Sequence, residues 1–143
     1  MSWSEYKSKH FYLKLKKSHI PWVILYADEP YKELSDLPKE VQFEMLELMD
    51  SIEKEMIAFY NPTKINVASF GNYLPRVHIH IMARFESDGY YPEPMWGEQQ
   101  EEIKLNLPPI ETFIEKLVEK LKTTHKESVT YIPVKKSNTP PLT

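Results

Sequence analysis

Two imidazoles, His78 and His80, stand two residues apart in Arg76-Val77-His78-Ile79-His80-Ile81-Met82-Ala83-Arg84, and they are the groups of this chain best suited to chemistry. Imidazole, with a reference pKa of roughly 6.5, is largely neutral and nucleophilic near pH 7 and also serves as an acid or hydrogen-bond donor. Two such rings side by side resist being cationic at once. That favours divided roles: one neutral attacker, and one partner that donates a proton or steadies developing negative charge, as group transfer at phosphorus requires. Arg76, expected on the same strand face, adds a permanent cation whose fork matches a phosphate; a surface salt bridge is its plainer reading. Chelation of zinc or nickel by the two imidazoles is the rival chemistry, ranked lower because no carboxylate ligand is obvious within the run.

The spacing also dictates the element that must carry these groups. Side chains two apart on a strand project to one side, so Val77, Ile79, Ile81 and Ala83 fill a buried face while His78 and His80 are offered on a surface or in a cleft. Upstream, residues 10–16 and 21–26 read as antiparallel neighbours, and residues 65–70 as a third strand before a turn or bulge at Gly71-Asn72. Between them Leu37-Pro38 opens a long helix whose apolar residues Val41, Met45, Leu48, Met49, Ile52, Met56 and Phe59 recur at helical spacing, and Asn61-Pro62 stops it. The segment from Glu86 to Gly97, rich in proline, glycine and rings, has the character of a loop that covers a site. Pro108-Pro109 starts a second helix with the stripe Ile110, Phe113, Ile114, Leu117, Val118 and Leu121, expected to pack on the sheet or a partner subunit. Residues 129–132 add a short strand and residues 135–143 form a loose tail. The predicted class is α+β, an antiparallel sheet of about five strands with a long helix and a C-terminal helix.

A chain of 143 residues is long enough for one domain with a real core and short for two. We expect a single domain over residues 1–125 and a C-terminal extension over 126–143, partly strand and then loose. The net charge of −3 removes the electrostatic case for nucleic acid, although Lys14, Lys16 and Lys17 could hold a small anion. Without cysteine there is no disulfide, zinc-thiolate site or thiol nucleophile. No apolar stretch reaches signal-peptide or membrane-spanning length, so a soluble cytoplasmic protein with no membrane partner is expected.

The segment from Arg76 to Met82 resembles the motif His-φ-His-φ-His-φ-φ of the histidine-triad (HIT) family, where φ is apolar. The flanking Asn66-Val67-Ala68-Ser69-Phe70-Gly71-Asn72-Tyr73-Leu74-Pro75, Arg84 and Asp88, and Pro92-Glu93-Pro94-Met95-Trp96-Gly97 look like a bacterial branch often labelled diadenosine polyphosphate hydrolase. The likeness extends back to Ser18-His19-Ile20-Pro21-Trp22-Val23-Ile24-Leu25, and so covers roughly residues 10–97. It implies a nucleotide hydrolase or nucleotidyl transferase acting at the α-phosphate of a nucleoside conjugate, a dinucleoside polyphosphate or a phosphoramidate. In that reading His78 attacks phosphorus to form a nucleotidyl-histidine, and His80 bonds the phosphate oxygens or the leaving group. Arg76 replaces the first histidine of the triad, whose backbone carbonyl orients the nucleophile. Asn72 is implied to contact phosphate, Asn66 the ribose and phosphate, and Ile20, Trp22 and Ile24 the base or ribose; Trp96, in the covering loop, completes the candidate contacts. The resemblance also implies an adenine-favouring nucleotide partner, a homodimer, and no required metal, with magnesium possible beside a polyphosphate.

Plainer roles stand beside these: Trp22 as core, Trp96 as a loop anchor, Asn66 and Asn72 as turn formers. Two other functions remain open. A nucleotide-binding or sensing module would keep the pocket with negligible turnover, which the Arg76 replacement makes plausible. A protein-interaction domain would dock through its amphipathic helices and aromatic loop.

Overall fold

The apolar segments on either side of Ser18-His19-Ile20-Pro21 form an antiparallel pair, β2 (Phe11–Leu15) and β3 (Trp22–Ala27), with Leu13 opposite Leu25. The structure is a computed structural model that describes residues 3–125 and 130–134. After β3 comes the long helix α1 (Lys39–Tyr60), then β4 (Lys64–Ala68) and the histidine strand β5 (His78–Arg84). Pro38 sits at the N-cap rather than inside the first turn, and its carbonyl accepts from the N–H groups of Val41 and Gln42. Asn61 ends α1 in the left-handed region at φ 48°, a conformation its short polar side chain tolerates. The second predicted helix is α2 (Ile110–Thr124), preceded by Pro109.

The strands join in one six-stranded sheet of order β4-β5-β3-β2-β1-β6, all pairings antiparallel. This is one strand more than expected. The addition is β1 (Trp3–Lys7), a mostly polar segment held by backbone pairing to β2 on one side and to β6 (Thr130–Val134) on the other. Of the expected C-terminal extension, β6 is thus an edge strand of the same sheet. The tail predicted to be loose, residues 135–143, lies outside the described residues, as does Val129.

Both helices cover one face of the sheet. Leu13, Val23, Leu25, Ile79, Ile81 and Ala83 meet the α1 stripe Val41, Met45, Leu48, Ile52, Met56 and Tyr60 and the α2 stripe Phe113, Ile114, Leu117, Val118 and Leu121. Each fully buried Val, Leu, Ile, Met or Phe among them contributes about 1.5–3 kcal/mol. No helix among the described residues is long and apolar enough to cross a membrane.

The opposite face carries a second apolar cluster, Ile20, Trp22, Ile24, Tyr26 and Met82, with Tyr12, Leu74, Met95 and Leu105 against it. Alternation along β5 therefore does not separate buried from open: all seven of its residues are buried. Residues 85–107 return over this face and supply Met95, Trp96 and Leu105, which is why the expected open side is covered.

Candidate active site

Cross-strand register places His78 opposite Tyr26, and His80 between Ile24 on β3 and Ala68 on β4. Both histidines point away from the helices. Their rings are T-shaped with centroids 5.4 Å apart, and they are 1% and 0% exposed. His78 stacks on Tyr26 at 5.4 Å, and its Nδ1 lies 2.8 Å from the carbonyl oxygen of Arg76. A carbonyl only accepts, so Nδ1 carries the proton and the lone pair of the neutral ring is on Nε2. Among the described residues nothing hydrogen-bonds that Nε2. The Trp22 indole N–H donates to His80 Nδ1 at 3.0 Å.

An aromatic wall closes over His80. Trp96 lies edge-on at 5.0 Å and also meets Trp22 at 5.1 Å and Phe70 at 4.7 Å, while Phe70 is 6.1 Å from His80. Trp96 is 40% exposed, so it forms the outer surface of this wall. The Lys16 ammonium sits over the Trp22 ring at 4.8 Å, and burial pushes its pKa down.

Beside the histidines, the covering segment is fastened by one buried ion pair. Arg84 Nε donates to Asp88 Oδ2 at 2.7 Å, Nη1 donates to Asn66 Oδ1 at 2.9 Å and Nη2 to the Glu93 carbonyl at 2.7 Å. Burial alone would push the Asp88 carboxyl up, but the Arg84 guanidinium and the N–H groups of Phe85, Tyr90 and Tyr91 outweigh it and hold the pKa at about 2. His19 adds a tie from the β2–β3 turn, its Nε2 donating to the Asp88 carbonyl at 2.9 Å. Gly89, at φ +88°, has no room for a side chain: a Cβ there would meet Ile103 at 2.6 Å.

Two clefts share Phe70 as a wall, and neither is lined by His78 or His80 themselves. One, of about 340 Å³, lies between β4 and the covering segment and is lined by Asn66, Phe70, Met82, Met95 and Trp96 among others. The other, of about 560 Å³, is bounded by Lys32 to Ser35 before α1 and by Ser69, Phe70 and Val77. Among the described residues no three His, Asp or Glu side chains gather as metal ligands.

The structure thus brings His78, His80, Trp22 and Trp96 into one cluster, with Asn66 on the adjoining cleft. Other sequence candidates fall elsewhere. The strand begins at His78, so Arg76 lies in the bend before it; its Nη2 donates to the carbonyls of Ala27 and Asp28 at 2.8 and 3.1 Å, while its Nε is buried with no hydrogen-bond partner among the described residues. Ile20 is core of the second cluster and lines neither cleft, and Asn72 is exposed in the loop before β5. Tyr26, Phe70 and His19 were not picked out from sequence. Tyr26 follows from register once β3 and β5 are paired; nothing local marks the other two.

A family model described as HIT domain matches residues 6–87. A histidine triad protein from Marinobacter aquaeolei VT8 superposes with a TM-score of 0.62 at 27% identity, over 84% of this chain and 85% of its own. A histidine triad protein from Bradyrhizobium japonicum gives 0.62 at 24% identity, over 81% and 84%. A hypothetical histidine triad nucleotide-binding protein from Sulfolobus tokodaii gives 0.55 at 12% identity, over 82% and 84%. The last two are likenesses of fold alone. No curated protein matches the sequence.

Proposed function

This chain belongs to the HIT domain family, and we propose that it is a nucleotide hydrolase or nucleotidyl transferase working at the α-phosphate of nucleoside conjugates. The observation that carries the reading is the His78 ring: Nδ1–H is held by the Arg76 carbonyl at 2.8 Å, which leaves Nε2 as an unengaged lone pair among the described residues. In the first displacement that lone pair forms a bond to phosphorus, and the bond to the leaving oxygen or nitrogen breaks, the pair going with the leaving atom. His80 stabilises the charge that develops on the phosphoryl oxygens or the leaving group. In the second, water attacks phosphorus, the phosphorus–nitrogen bond returns its electrons to His78, a proton goes to solvent, and a nucleoside monophosphate is released.

Both Nε2 atoms are shielded from solvent, and Trp96 and Phe70 lie against His80, so substrate access to that ring requires them to move aside. Within the family we favour the diadenosine polyphosphate hydrolase-like branch, on the likeness of residues 66–97 to it, with adenine as the base. Magnesium accompanies a polyphosphate substrate without entering the covalent route. The proposal includes a cytoplasmic homodimer, supported by Phe43, Leu46 and Ile57 exposed along one side of α1. Domain limits of 1–125 with an extension belong to the same reading.

A second reading, a binding module with negligible turnover, is favoured by one observation: Nη2 of Arg76 is engaged with the backbone carbonyls of Ala27 and Asp28. The test is release of AMP from diadenosine tetraphosphate and from an adenosine phosphoramidate, by wild type and His78→Ala, in chelator-treated buffer. Release that survives chelation and vanishes in the variant supports the hydrolase. Bound nucleotide without release by the wild type moves the assignment to the binding module.

A further inference from the structure

We infer that Trp22 is a positioning residue for His80, the side chain that decides which nitrogen of the His80 ring carries the proton. The sequence resemblance gives Trp22 a contact with base or ribose; the geometry gives it a different task. An indole N–H donates and cannot accept. It stands 3.0 Å from His80 Nδ1 inside the buried cluster, so Nδ1 must present its lone pair. The proton of the ring then lies on Nε2. A proton on Nδ1 would set two N–H groups against each other in a place sheltered from water.

The contact is built into the sheet. Trp22 is opposite Met82 in the β3–β5 register, which makes His80 its diagonal neighbour on the same face, within reach of a ring as long as indole. The indole is pinned by Trp96 on its edge at 5.1 Å and by Lys16 over its face at 4.8 Å. Neighbouring rings on one strand are thereby set in opposite tautomers. His78 has Nδ1–H on the Arg76 carbonyl and a lone pair on Nε2; His80 has its lone pair on the indole and N–H on Nε2. One ring is prepared to attack and the other to donate to an oxygen of the group attacked.

The catalytic consequence rests on the proposed function, but the tautomer does not, and the experiment separates them. Long-range proton–nitrogen NMR of the ¹⁵N-labelled chain reads ring tautomers directly. The expected wild-type result is Nδ1–H for His78 and Nε2–H for His80. In Trp22→Phe the His80 pattern moves toward a mixture of tautomers, while kcat falls roughly 10- to 100-fold, as when a group orienting a functional histidine is removed, with KM little changed. Nδ1–H at His80 in the wild type overturns the inference whatever the activity. So does a Trp22→Phe chain with unaltered tautomer and kcat. A tautomer shift in a protein whose wild type releases no AMP supports the role of Trp22 and removes the hydrolase reading instead. Should Trp22→Phe not fold, the nitrogen–nitrogen coupling across the Trp22–His80 hydrogen bond in the wild type decides: its presence supports the assignment, its absence overturns it.

Discussion

At the scale of single residues, the proposed mechanism puts attack and charge stabilisation on different rings, so their removal should have different costs. His78→Ala takes away the atom proposed to bond phosphorus, and AMP release is expected to fall by roughly 10³-fold or more. His80→Ala removes a donor and should cost about 3–4 kcal/mol, a drop of roughly 10²–10³ in kcat. Steady-state kinetics on both variants checks the order. Arg76 is the contrasting case. Its carbonyl orients His78 while its guanidinium holds the end of β3. Arg76→Gln keeps the carbonyl, so kcat/KM should stay within roughly 10-fold of wild type; a larger loss would mean that the guanidinium reaches the phosphate. The alternation of polar and apolar residues made the His78–His80 pair legible from sequence. The position of Arg76 was not, because its bend depends on Val77 bonding to Tyr31 and Ala27, contacts distant in sequence.

At the scale of elements, the segment after β5 is held by the buried pair Arg84–Asp88, 1% and 0% exposed. Arg84→Met leaves the carboxylate of Asp88 buried without its cation, and chemical denaturation should show a loss of about 3–5 kcal/mol. The pair also predicts a pH dependence. The Asp88 pKa of about 2 lies below its ordinary 3.8, so the unfolded chain binds its proton first as pH falls. Its stabilisation is complete above the ordinary value and is lost as pH drops through the folded one. The stability difference between wild type and Asp88→Asn should therefore shrink between about pH 4 and pH 2. A difference that stays flat across that window would contradict the assignment. The α1 stripe from Val41 to Met56 was readable because burial there follows a single period. Polar β1 was not, since its pairing comes from backbone bonds to β2 and β6; the cover was legible as a proline-, glycine- and ring-rich loop from Glu86 to Gly97, but which of its side chains meet the histidines was not, since the segment carries no period.

At the scale of the whole molecule, one side of the sheet is a helix-covered core and the other carries the histidines, so the proposed self-association through α1 would leave the histidine side free. Phe43, Leu46 and Ile57 are 64%, 55% and 47% exposed along that helix. Sedimentation should show a dimer for the wild type and a monomer for the double variant Phe43→Glu and Leu46→Glu, whose unchanged circular dichroism would show that the fold survives. The antiparallel α+β class could be read from sequence because strand and helix periods follow one another between Phe11 and Arg84, and a helical period returns from Ile110 to Leu121. The central claim, covalent transfer through His78, is tested most directly by mass spectrometry of the intact chain quenched during turnover of an adenosine conjugate. The account predicts an AMP adduct that maps to His78, is absent from His78→Ala and accumulates in a wild-type reaction slowed at the water step. Steady AMP release with no adduct, undiminished in His78→Ala, would contradict it.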